Sequence, residues 1–136
     1  EIPGVSPAKL VDGCTRSGWH LYMFRYDPAQ FEGLPRALFL KELARAGVPA
    51  SAGYSSLNNS KHVRALAANP HYRRIYGEAA MDRWVEANQC PINDRLCEEA
   101  VWFPQTKLLG TRAEMTRIAE VIADVRKRAG DLAAAG

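Results

Sequence analysis

The residues Gly53-Tyr54-Ser55-Ser56-Leu57-Asn58-Asn59 bring together a phenol, hydroxyls and amides, with no charge until Lys61. Such side chains suit binding rather than bond-breaking, since each can donate and accept hydrogen bonds. The stretch follows a β-prone run, Val48 to Ala52, and precedes a basic helical segment. Loops at strand ends often carry function, so one reading is a ligand-facing loop. Turn chemistry alone also favours Gly, Ser and Asn, so a plain polar connection fits the same residues.

No self-sufficient catalytic set accompanies it. The chain has no glycine-rich phosphate loop, no HExxH and no G-x-S-x-G elbow. His20, His62 and His71 are far apart in sequence, and His20, between Trp19 and Leu21, reads as a core or rim histidine. Cys14, Cys90 and Cys97 are odd in number and lack disulfide or zinc spacing. No metal is expected, and a reduced, cytoplasmic setting is the simplest fit. Between Lys61 and Arg83, five basic residues (Lys61, Arg64, Arg73, Arg74 and Arg83) mix with Tyr72 and Tyr76, a pattern that can bind nucleic acid. Glu78, Asp82 and Glu86 neutralise the run, which favours a solvated helix face and no nucleic-acid partner.

The elements that position these residues follow from spacing. Trp19 to Tyr26 has a strand-favouring composition closed by Asp27-Pro28. Gly33-Leu34-Pro35 opens a helix with Phe39, Leu43 and Ala46 on one stripe, Lys41, Glu42 and Arg45 mostly off it, and Gly47 as its stop. Val48 to Ala52 reads as a short edge strand despite Pro49. Lys61 to Glu86 is helical but poorly striped, broken at Asn69-Pro70 and weakened at Gly77. Pro91 to Glu99 reads as a helix with Leu96 and Ala100 inward and Asp94, Glu98 and Glu99 outward, and Val101-Trp102-Phe103 as a strand halted by Pro104. Thr111 with Glu114 makes a capping box for a last helix with Met115, Ile118, Ala119, Ile122 and Val125 on its apolar face. The sum is an α/β, α+β-like, two-layer sandwich of about three mainly antiparallel strands covered by helices.

At 136 residues, 47% hydrophobic and 24% charged, the chain has room for one globular domain. Residues 1–18 read as an irregular lead-in, 19–128 as the domain and 129–136 as a flexible tail. The net charge of +3 is mild, and the Arg126-Lys127-Arg128 cluster suits a helix C-terminus. No apolar run is long enough to span a bilayer, and no membrane partner is expected. A chain that opens Glu1-Ile2-Pro3-Gly4 without a methionine reads as a fragment or a processed product.

In order, His20-Leu21-Tyr22, Arg36 to Gly47, Val48-Pro49, Gly53-Tyr54 with Leu57, Cys90-Pro91, Cys97-Glu98-Glu99-Ala100 and Val101-Trp102-Phe103-Pro104-Gln105 resemble a known series. It is that of the C-terminal small domain of the DegT/StrS family of PLP-dependent sugar aminotransferases. The similarity runs from about Thr15 to Lys127 and rests on the ordered series rather than on any one motif. It implies a small domain closing over a large PLP-binding domain that is missing here, in a homodimer. The substrates it implies are a keto-sugar or keto-cyclitol and an amino-acid donor. By resemblance Tyr54 faces the sugar, with Ser55, Ser56, Asn58 and Asn59 beside it and Arg16 and Ser17 as weaker contacts. Many members carry proline at the position of Ser56 and a histidine or tyrosine shortly after Leu57; this chain has Asn58 and Asn59, whose amides suit sugar hydroxyls. Lys9, Lys41, Lys61, Lys107 and Lys127 do not match the family's Schiff-base context. No catalytic or cofactor-binding residue is therefore expected in this chain, which alone should be inactive and bind no PLP. The alternative is a stand-alone α/β binding or interaction module without catalysis.

Overall fold

Phe24 and Tyr26 stand two positions apart, a spacing that puts both rings on one face of a strand. In the computed structural model, which describes residues 1–136, they lie in the centre of a three-stranded antiparallel sheet. Its strands are β1 (Val5–Pro7), β2 (Leu21–Tyr26) and β3 (Ala100–Pro104), ordered β1-β2-β3. The helices are α1 (Arg36–Arg45), α2 (Lys61–Ala65), α3 (Pro70–Tyr76), α4 (Glu78–Ala87), α5 (Pro91–Glu99), α6 (Arg112–Lys127) and α7 (Ala129–Ala134). The expected α+β class is the observed one. Contacts divide the chain into two units, Glu1–Gly53 with Glu99–Gly136, and Tyr54–Glu98.

The first unit holds the sheet and the main core. In the β2–β3 register Tyr22 faces Phe103 and Phe24 faces Val101, so one sheet face carries these rings and Tyr26. Phe39 and Leu43 of α1 and Val121, Ile122 and Val125 of α6 belong to the same buried cluster. Tyr26 stacks on Phe39 with ring centroids 4.4 Å apart, and Phe31 meets Phe39 edge-on at 5.3 Å. Each such side chain, fully buried, contributes about 1.5–3 kcal/mol. The Tyr26 hydroxyl donates to the Leu34 carbonyl at 2.7 Å, which satisfies a polar atom inside the cluster. Burial, aided by the charge of Asp27, pushes the Tyr26 phenol up from its ordinary pKa.

Gly47 ends α1 as its spacing predicts. Its N–H donates to Ala44 and that of Val48 to Leu43, the paired bonds of a Schellman motif, with Gly47 at φ +79°. Glu42, read as off the stripe, is only 9% exposed, and Arg45 pairs with it at 2.6 Å. The central strand begins at Leu21 rather than Trp19, because Trp19 adopts a left-handed φ of +44° that no ladder accepts. Val48 to Ala52 is not a strand. Pro49 lacks the N–H a ladder needs, and the segment keeps only an isolated bridge between Ser51 and Trp102. The third strand is instead β1, inside the stretch read as irregular, with Pro7 tolerated at the sheet edge. Residues 129–136, read as a tail, include the helix α7, whose Ala129 is fully buried and whose Leu132 and Ala133 lie against the core.

The Tyr54–Glu98 unit is helical. Asn69 caps α3 by accepting from the His71 N–H at 2.9 Å, and Gly77 separates α3 from α4. Arg73 binds Glu78 and, at 2.8 Å, Asp82, so two acids of α4 neutralise this one member of the basic run. Leu66, Tyr72, Tyr76, Ala80, Met81 and Trp84 line an apolar cleft of about 300 Å³. No helix is long and apolar enough to cross a membrane.

The start of α6 is set by the capping box. Thr111 Oγ1 accepts from the Glu114 N–H at 3.3 Å, and the Glu114 carboxylate accepts from the Thr111 N–H at 2.6 Å and its hydroxyl at 2.9 Å. Those donors, backbone first, hold the Glu114 pKa below its ordinary value. A carboxylate with a depressed folded-state pKa adds stability above its unfolded value, about 4.3, and loses it as pH falls through the folded value. Acid unfolding curves of Glu114→Gln should therefore be flatter below pH of about 4 than those of the parent chain. Thr111→Ala should cost about 1 kcal/mol at neutral pH. Parallel acid curves for parent and Glu114→Gln would contradict this role.

Candidate functional site

Trp102 determines how the polar stretch begins. Its backbone pairs with Met23 on one side and, through Ser51 N–H to Trp102 O at 3.0 Å and Trp102 N–H to Ser51 O at 2.9 Å, with Ser51 on the other. Gly53 then turns at φ +72° over the indole: a Cβ there would lie 2.7 Å from Trp102 Cε2. The Gly53 N–H donates to Ser51 Oγ at 3.2 Å. Arg36 reinforces this region by donating to the Ala100 carbonyl at 2.8 Å. All of these residues belong to the first unit.

Tyr54 to Asn59 belong to the second unit and continue as one polar segment. Leu57–Asn59 forms a single 3-10 turn, closed by Asn59 N–H to Ser56 O at 3.2 Å. Ser60 stops it and caps α2, its Oγ accepting from the Val63 N–H at 3.2 Å. Tyr54 is 72% exposed, Ser55 and Asn59 are exposed, and Ser56 and Asn58 are half-buried. The five candidate residues thus share one short segment whose hydroxyl and amide groups are accessible in whole or in part. Leu57, also 72% exposed, adds an apolar surface among them. Its uncharged hydroxyl and amide groups can each donate or accept hydrogen bonds.

Arg16 and Ser17 lie in the first unit. They line a different cleft of about 490 Å³ with Gly18, Trp19, Gln105, Leu108 and Leu109. Gln105 Nε2 donates to the Gly18 carbonyl at 3.2 Å.

The residue missed by sequence is Asp94. Helical periodicity places it outward on α5, yet its Oδ1 is sealed from solvent. Donation from the Ser56 hydroxyl first, then from the side chains of Asn59 and Asn58, with the charge of Arg64, holds its pKa below the ordinary carboxylate range, against the pull of desolvation. None of these donors reaches Oδ1 in standard hydrogen-bond geometry. The local signal in the sequence was only an acid in a helix, 30 or more positions beyond its partners.

The chain's own residues do not fit pyridoxal phosphate. Lys9, Lys41, Lys61 and Lys127 are exposed. Lys107 lines a cleft with Thr106, Glu114, Met115, Arg117 and Ile118, which supplies neither an aromatic face for the ring nor an aspartate for its nitrogen. No group of three or more His, Cys, Asp or Glu side chains gathers as a metal site, and Cys14, Cys90 and Cys97 remain thiols.

No family model matches the chain. It is similar to an L-glutamine:2-deoxy-scyllo-inosose aminotransferase of Streptoalloteichus tenebrarius, 30% identical over 134 residues, with 96% of this chain and 31% of that protein covered. It is also similar to a putative L-glutamine:3-amino-2,3-dideoxy-scyllo-inosose aminotransferase of Streptomyces kanamyceticus, 28% identical over 137 residues, covering 97% of this chain and 32% of the relative. A protein with the same name from Streptoalloteichus tenebrarius is 28% identical over 132 residues, covering 93% and 31%. The chain spans about a third of the length of these curated relatives.

Gly53→Ala tests the entry to the segment. It should destabilise by about 2–5 kcal/mol, the left-handed backbone cost plus the clash with the indole. Gly47→Ala, at φ +79° with nothing within 4 Å of the added carbon, should lose only about 1–2 kcal/mol. Denaturant unfolding midpoints read the difference, and equal losses would show that the Trp102 ring imposes nothing on Gly53.

Proposed function

We propose that this chain is the C-terminal small domain of a PLP-dependent aminotransferase of DegT/StrS type that aminates a keto-cyclitol or keto-sugar. The carrying observation is the similarity, along nearly all of this chain, to about a third of three aminotransferases named for scyllo-inosose substrates. The polar segment supports it physically. A cyclitol presents hydroxyls around a neutral ring, and its recognition calls for uncharged groups that donate and accept. Tyr54, Ser55, Ser56, Asn58 and Asn59 are such groups, and only Leu57 interrupts them.

In this reading the tyrosine hydroxyl and the Asn58 amide bind and orient the ring, while Leu57 covers an apolar ring face. Glutamine, the donor in the relatives' names, is the proposed donor here. Pyridoxal phosphate, when bound, carries the amino group between donor and acceptor. In this reading the cofactor is held by a large domain outside these 136 residues. A homodimer in the cytoplasm completes the proposal. Arg16 and Ser17 are secondary contacts in it.

The test is the full-length protein with pyridoxal phosphate, L-glutamine and a scyllo-inosose-type ketone, with the aminated cyclitol followed by mass spectrometry. Tyr54→Phe should slow the ketone half-reaction about tenfold, the worth of one hydrogen bond, and leave the glutamine half-reaction within about twofold. Equal effects on both halves would remove Tyr54 from the cyclitol side.

A further inference from the structure

Trp19 lies just before β2 with a φ of +44°, in the left-handed region that costs a bulky side chain free energy. Such a conformation persists only where its surroundings impose it, and it clusters at ligand-binding sites. Here the Trp19 N–H donates to Ser17 Oγ at 3.3 Å, and the indole meets Tyr22 edge-on with ring centroids 5.2 Å apart. The indole so held helps to line the cleft of about 490 Å³, with Arg16, Ser17, Gln105, Leu108 and Leu109. All of these residues belong to the first unit.

The polar groups of this cleft have complementary vacancies. The Arg16 guanidinium makes no hydrogen bond or ion pair within the chain, so its fork of N–H donors is open. Ser17 Oγ already accepts from Trp19, which leaves its O–H to donate. Gln105 is fixed the other way. The Gly18 carbonyl can only accept, so Gln105 presents Nε2 to it at 3.2 Å and keeps Oε1 as an acceptor. We infer that this cleft is the subsite for the amino-acid donor, with Arg16 and Ser17 on its carboxylate and Gln105 Oε1 on its side-chain amide. A guanidinium binds a planar carboxylate through two parallel hydrogen bonds. The methylene stem of glutamine suits the indole and the two leucines. A neutral cyclitol brings no charge to Arg16, and a phosphate ester dianion brings no donor to Gln105. The role as donor subsite rests on the proposed aminotransferase function, whereas the binding of an amino acid here does not.

Titration of the 136-residue chain with L-glutamine, followed by NMR, reads the site directly. The Trp19 indole N–H and the Gln105 side-chain amide resonances should shift with a Kd of about 1 mM, the level of a small ligand held by a few hydrogen bonds. L-Glutaminol, with an alcohol in place of the carboxylate, should bind about tenfold more weakly, as should L-glutamine to Arg16→Gln. Arg16→Lys, which keeps the charge but not the fork, should restore part of the affinity. L-Glutamate, which sets a second carboxylate against Gln105 Oε1, should also lose about tenfold. A Trp19 resonance unmoved at about 20 mM L-glutamine, or equal binding of L-glutaminol, would overturn the site, whether or not the full-length protein aminates any cyclitol. In the full-length protein, Arg16→Gln should raise KM for L-glutamine about tenfold and leave kcat and the ketone half-reaction within about twofold. Equal damage to both half-reactions would overturn the donor role.

Discussion

Two hydrogen bonds between Ser51 and Trp102 determine where the polar segment starts. Trp102 sits in β3, whose neighbours Val101 and Phe103 are buried in the core, so its backbone is fixed by packing on both sides. Ser51 borrows that rigidity through its paired N–H and C=O. The chain must then cross the indole, and only a residue without a Cβ, at positive φ, does so without collision. Gly53 is therefore a consequence of Trp102, and Tyr54 follows from a point set by the sheet.

Beyond that point the physics changes. Of the hydrophobic residues buried as core, the Tyr54–Glu98 unit supplies only Met81. With so little apolar burial, local polar bonds do a larger share of the ordering: Ser60 on Val63, Asn69 on His71, Arg73 on Glu78 and Asp82, and the groups around Asp94. Exposed ion pairs are individually worth little. A segment held in this way is adjustable by single substitutions, which suits a specificity surface better than a core strand would.

The parts legible in the sequence are those where one signal was enough. The capping box at Thr111 and Glu114 marked α6, Gly47 marked the end of α1, and the β-favouring composition from Trp19 to Tyr26 marked β2, which begins two residues later. The errors came where two distant segments decide the outcome. Val48 to Ala52 has strand composition, but Pro49 denies it a ladder beside β3, and the third strand is β1, on the opposite edge against β2. Val5–Pro7 is too short to show a period, so its strand exists only because β2 offers it a partner. The tail helix owes its docking to Ala129 reaching the core, a contact that a run of alanines does not announce. In the candidate site, the residue types from Tyr54 to Asn59 were readable. Asp94 was not, since helical spacing turned it outward and its partners arrive from another element.

The central claim is that the Tyr54–Asn59 segment faces a hydroxylated ring in the assembled enzyme. A crystal structure of the full-length protein with the aminated cyclitol bound tests it most directly. The account predicts the Tyr54 hydroxyl and the Asn58 amide at roughly 3 Å from ring oxygens. A cyclitol seated elsewhere, with both groups beyond about 5 Å and turned to solvent, would contradict it.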